Sequence, residues 1–125
     1  MVSITTVISA LCLAITTSAA PTEQDTRAAA AFTGSVTYYE VGLGACGQTN
    51  SDSELVVAVS HSLYDREHPC GRNIRVHYEG KSVDVRVVDR CESCAEDDLD
   101  LSPTAFQQVI GPLSIGRATA TWEWI

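Results

Sequence analysis

Asp100 is the residue in this chain best mounted for chemistry. It stands in Leu99-Asp100-Leu101, followed at once by Ser102-Pro103. In an extended segment the two leucines face one way and turn the carboxylate the other. Ser102 can cap a helix whose first position is Pro103, a residue lacking the donor that a first helical turn leaves unpaired. A carboxyl held from both sides by rigid elements is suited to move a proton or to hold a hydrogen bond. Asp89 closes the aliphatic run Val83 to Val88, while Asp97 and Asp98 share one loop and are expected to form an exposed acidic rim. Glycosidic hydrolysis ordinarily needs two carboxylates, about 5 Å apart for retention or roughly 6.5 to 9.5 Å for inversion. One well-placed acid therefore favours binding over cleavage. His61 precedes a helical turn and reads as a buried hydrogen-bonding residue; without a serine nucleophile motif or a free cysteine, triad chemistry is unsupported. The positions of His68 and His77 suggest no metal site.

The elements that must carry these residues are legible from periodicity. Gly34 to Tyr39 is rich in β-branched and aromatic residues and predicts a first strand. Gly42, Gly44 and Gly47 make a loop around Cys46, and Leu55 to Ser60 is a short aliphatic run typical of a buried strand. His61 to Tyr64 predicts one helical turn. Asn73 to Tyr78 and Lys81 to Val88 form a hairpin across Glu79-Gly80, with Ile74, Val76 and Tyr78 inward and Val83, Val85 and Val87 sharing a face. The helix from Pro103 reaches about Ile110, where Gly111 and Pro112 stop it. From Arg117 to Ile125, Ala118, Ala120, Trp122 and Trp124 alternate with polar residues, and small beside large side chains suit a barrel interior. Many short strands and one clear helix predict an all-β fold, a small closed barrel.

Residues 1–19 are apolar and uncharged and read as a secretory signal peptide; residues 20–33 read as a flexible lead-in and residues 34–125 as one domain. Of five cysteines, Cys12 lies in the leader, and Cys46, Cys70, Cys91 and Cys94 remain. In a secreted chain they predict two disulfides, for which three pairings exist. Cys91 and Cys94 can close a local loop, which leaves Cys46 for Cys70. The net charge of −8 falls entirely on residues beyond Ala20 and argues against nucleic acid or an anionic membrane as partner. It also disfavours strongly anionic polysaccharides. A neutral glycan or a protein is the expected partner.

Five segments carry a resemblance to a known family: TYYE at Thr37 to Glu40, GACG at Gly44 to Gly47, VSHSLY at Val59 to Tyr64, VVDRC at Val87 to Cys91 and LDLSPTAF at Leu99 to Phe106. In this order and spacing they resemble the rare-lipoprotein-A-like double-psi β-barrel of expansins and family 45 endoglucanases, nearest to single-domain fungal loosenins. The resemblance implies a six-stranded barrel with one or two short helices and a polysaccharide-binding groove centred on Asp100. It aligns Asp89 and Thr37 with groove residues and pairs Cys46 with Cys70. Tyr39 and Tyr64 are further candidates to meet a sugar, and by alternation only one of Tyr38 and Tyr39 can be a platform. Glu40 falls near the place of the base in family 45 enzymes, although a solvated loop position also explains it. Expansins carry an aromatic where this chain has Cys91. The implied function is secreted, extracellular, monomeric, cofactor-free and non-hydrolytic loosening of a neutral cell-wall polysaccharide such as cellulose or chitin. The alternatives are a glycan-cleaving enzyme and a protein-binding module such as a protease inhibitor or effector.

Overall fold

The computed structural model describes residues 31–125, so the expected leader and nearly all of the lead-in lie outside the described residues. Six strands, β1 (Phe32–Tyr38), β2 (Val56–Ser60), β3 (Asn73–Tyr78), β4 (Lys81–Cys91), β5 (Leu99–Leu101) and β6 (Ala118–Trp124), close into a barrel in the order β1-β5-β2-β4-β3-β6. Helix α1 (His61–Glu67) follows β2, helix α2 (Pro103–Val109) follows β5, and a 3-10 turn (Leu113–Ile115) leads into β6. The expected architecture is present: a closed barrel of six strands with two helices and two disulfides, Cys46–Cys70 and Cys91–Cys94.

Local chemistry accounts for most of these elements. In the hairpin, β3 and β4 pair antiparallel from Tyr78 with Lys81 back to Asn73 with Arg86, and Gly80 supplies a positive φ of 80° at the turn. Valines of β2, β3 and β4 meet Leu99, Leu101, Phe106 and Trp122 in one closed core, where each full burial contributes about 1.5 to 3 kcal/mol. Trp124 stays half-buried at its edge, and the Arg72 guanidinium lies 3.8 Å above its ring.

Four expectations are corrected. β1 starts at Phe32, so the last two residues of the predicted lead-in belong to the barrel; the Phe32 ring lies 4.4 Å from that of Trp122. Helix α1 runs to Glu67 rather than stopping at Tyr64: the Ser60 hydroxyl caps its start by accepting from Leu63 N–H at 3.2 Å, and it ends where His68 turns left-handed and donates its N–H to the Tyr64 carbonyl at 2.9 Å. Strand β4 continues past Val88 to Cys91, since Asp89, Arg90 and Cys91 pair in parallel with Ala58, Val59 and Ser60, a distant partner that local alternation does not reveal.

The fourth correction concerns Asp97 and Asp98, which are half-buried rather than an exposed rim. The loop between β4 and β5 lies against β1. Ser35 N–H donates to Asp98 Oδ1 at 2.9 Å, and Trp122 Nε1–H donates to the Asp97 carbonyl at 2.8 Å. A side chain at Gly34 would place its Cβ 2.1 Å from that same carbonyl oxygen, so only glycine admits the loop.

Candidate functional site

The site is a row of side chains crossing four strands. Asp100 is the middle residue of β5, between Leu99 and Leu101, both fully buried. Ser102 fixes the exit. Its hydroxyl donates to the Glu54 carbonyl at 2.6 Å and accepts from Ala105 N–H at 3.3 Å, and Pro103 opens α2. Asp100 pairs with Thr37 of β1 on one side and with Ala58 of β2 on the other. Ala58 in turn pairs with Asp89 of β4. Thr37, Asp100, Ala58 and Asp89 are therefore consecutive neighbours across β1, β5, β2 and β4.

Asp89 joins this row through a change of register. Val83, Val85 and Val87 face the core, and strict alternation would turn Asp89 inward as well. Val57 pairs with Val87, but the next pair is Ala58 with Asp89, so Val88 is passed over. One extra residue reverses the facing of every residue beyond it in the strand. Asp89 thus reaches the outer side, where its Oδ1 accepts from the N–H groups of Ala45 and Arg90, each at 2.8 Å. The Ala45 bond anchors the glycine loop, which also lies close: a Cβ on Gly44 would sit 2.3 Å from the Val88 carbonyl oxygen.

Electrostatics separate the members of the row. Burial pushes the Asp100 carboxyl above its ordinary value; the Thr37 hydroxyl, donating at 2.8 Å, and the charge of Arg117 oppose this, and the charge of Asp89 adds to it. Burial, then the Asp89 carboxylate, also pushes the Tyr39 phenol up. Tyr39 follows Thr37 by two residues, packs against Ala58, Cys91 and Cys94, and buries its hydroxyl beside the Asp89 carboxylate. Tyr38 turns the other way, its ring 5.0 Å from Phe106.

Of the residues singled out from sequence, Asp100, Thr37, Asp89 and Tyr39 come together. Glu40 is exposed just beyond Tyr39, with no hydrogen bond from its side chain among the described residues. Tyr64 lies at the core edge on α1, its hydroxyl 3.5 Å from Cys70 Sγ, outside the row. His61 keeps Nδ1 buried without a partner, contrary to the hydrogen-bonding expectation. Among the described residues no group of three His, Cys, Asp or Glu side chains is placed to hold a metal ion.

Two members were missed. Ala58 is the one small residue in the run Val56-Val57-Ala58-Val59, and that break in size was the available signal. Its methyl group, buried beneath Tyr39 and the Cys91–Cys94 bridge, stands between two carboxylates whose α-carbons, two strand spacings apart, are separated by about 9 to 10 Å. Arg117, directly before β6, had no local signal. The row can grip a polyol through charge-assisted hydrogen bonds from sugar hydroxyls to carboxylate oxygens. A separate depression of about 510 Å³, lined by Thr33, His77, Lys81 and Thr121 among others, shares no residue with it.

Comparison with known proteins adds four findings. The model of the DPBB_1 family, described as lytic transglycolase, matches residues 31–119. The papain inhibitor of Streptomyces mobaraensis is 33% identical over 120 residues, covering 89% of this chain and 83% of that protein. A solved Streptomyces papain inhibitor superposes with a TM-score of 0.69 at 31% identity, covering 77% of this chain and 94% of that one. A mutant Clavibacter michiganensis expansin in complex with cellohexaose also gives a TM-score of 0.69, at 26% identity over 77% of this chain and 50% of the expansin. The chain thus spans half the expansin's length, and less than two fifths of several other curated relatives.

Proposed function

The chain belongs to the DPBB_1 family of double-psi β-barrels, and from that premise we propose that it is a secreted, expansin-like protein that binds a neutral cell-wall polysaccharide and loosens it without hydrolysis. The observation that carries this reading is the row Thr37-Asp100-Ala58-Asp89 on the outer side of the barrel. Asp100 is its centre, fixed by buried leucines and by the Thr37 hydroxyl, with Tyr39 seated on Ala58 beside it. The glycan class is cellulose-like or chitin-like. Support comes from the expansin solved with cellohexaose, which matches at 26% identity. Two disulfides suit an oxidising, extracellular setting. Adsorption to cellulose, chitin, xylan and pectin, with the supernatants assayed for reducing ends, tests the reading. Adsorption without sugar release supports it; release of sugars that disappears in Asp100→Asn would establish a cleaving enzyme instead.

A second reading rests on coverage. The papain inhibitors match over nearly their whole length, whereas half of the expansin is unmatched. Inhibition of papain by the purified chain, together with adsorption to none of the four glycans, would establish a protein-binding role.

A further inference from the structure

The row leaves one feature unexplained, the apolar seat beneath Tyr39. Ala58, Cys91 and Cys94 form a small cluster of their own, and Tyr39 packs against it. The bridge joins residues only three apart in sequence, and both cysteines are less than a tenth exposed. Its ring is pinned at both ends. Cys91 pairs with Ser60 in the β2–β4 ladder, and the Ser60 hydroxyl donates to the Glu96 carbonyl, two residues past Cys94, at 2.8 Å. The enclosed Tyr39 hydroxyl is out of reach of a ligand, while the residue as a whole is only half-buried. What Tyr39 can offer is the side of its ring turned away from the seat, and a flat ring side is what the apolar face of a pyranose stacks on.

Resting on the glycan reading above, we propose that the Cys91–Cys94 bridge is a positioning element of the groove: with Ala58 it holds the Tyr39 ring beside Asp100 and Asp89 so that its free side stacks on a bound sugar. The bridge does not touch the ligand. It acts by denying Tyr39 the rotation that would bury or swing away the ring, which reduces the ordering cost of binding. The long-range bridge Cys46–Cys70 stands elsewhere and plays no part in this seat.

The experiment uses the full chain and cellohexaose as probe, with affinity measured by calorimetry. Tyr39→Phe keeps the ring and is expected to bind within about twofold of the parent. Tyr39→Leu is expected to bind about three- to tenfold more weakly, the worth of an aromatic stack. Cys91→Ser with Cys94→Ser is expected to lose the same factor. Combining it with Tyr39→Leu is expected to add nothing, the mark of two changes acting through one interaction. A second readout is the alkaline absorbance titration of the four tyrosines. Burial and the Asp89 carboxylate raise the Tyr39 phenol, which is expected to titrate late in the parent, and removal of the bridge is expected to lower it while the melting transition stays cooperative. A bridgeless protein with full affinity and a late phenol overturns the proposal, and so does one that fails to fold, since the bridge is then a staple of the fold. A parent that binds no cellohexaose overturns the glycan reading first. The titration then judges the seat alone, and a phenol that stays late without the bridge removes that too.

Discussion

Thr37 Oγ1 donates a 2.8 Å hydrogen bond to Asp100 Oδ1 across the parallel β1–β5 ladder. This bond stabilises the ionised carboxyl against burial. Thr37→Val is therefore expected to move the Asp100 titration further up and to weaken glycan binding about tenfold or more, the worth of a hydrogen bond to a charged group. The loss should be larger at pH 5 than at pH 8, because the higher pH restores the charge. Equal losses at both pH values would mean that Asp100 does not bind through its charge.

Stability carries the sign of the same shift. Between the ordinary carboxyl value and the raised one, the folded state holds a proton that the unfolded chain has released, so stability falls as pH rises through that interval. Asp100→Asn removes the buried charge and keeps an oxygen for Thr37. It is expected to melt higher than the parent at pH 7, the gap closing towards pH 3, while losing wall loosening measured on a cellulose film. A variant that melts far lower would make Asp100 a structural residue.

Gly34→Ala is expected to destabilise the domain by about 2 to 3 kcal/mol, as overpacking does, because its Cβ would meet the Asp97 carbonyl oxygen at 2.1 Å. Urea unfolding checks it. An unchanged midpoint would show that the β4–β5 loop does not press on β1.

The two bridges should differ in worth. Cys46–Cys70 has a sequence separation of 24 and Cys91–Cys94 one of 3, so chain entropy assigns the first about 3 to 4 kcal/mol and the second about 2. Thermal unfolding of Cys46→Ser/Cys70→Ser beside Cys91→Ser/Cys94→Ser compares them, and a larger loss from the short bridge would reverse the ranking.

With a net charge of −8, adsorption to pectin is expected to be weak at low salt and to rise as salt screens the repulsion. Adsorption that falls with salt would identify a local cationic contact, for which Arg117, whose charge acts on Asp100, is a candidate.

Features read from the sequence and those missed divide by the range over which residues act. The β3–β4 hairpin, the Ser102-Pro103 helix start and the inward leucines around Asp100 depend on neighbours a few positions away, and each was legible. The parallel pairings of β1 with β5 and of β2 with β4 join residues far apart in the chain. Nothing local encodes their register, so Ala58 as the step between two aspartates, and Tyr39 seated on a disulfide, came only with the fold. Tyr64 was drawn in by its chemical type, and the barrel sets it at the core edge beside Cys70, outside the row, while Glu40 stands exposed just beyond Tyr39.

The passing over of Val88 has a bearing on how such barrels diverge. Substitution at Asp89 alters the groove by one group, whereas a β4 that kept Val88 but lost the bulge would set Val88 opposite Ala58 and turn the carboxylate toward the valines. Deleting Val88 would leave the carboxylate directly after the inward Val87 and still facing out, at the expense of the carbonyl to which Cys46 N–H of the glycine loop donates. Whether the strand keeps its bulge at this position, more than which side chain it carries there, therefore separates barrels with a paired-acid groove from barrels that merely share the shape.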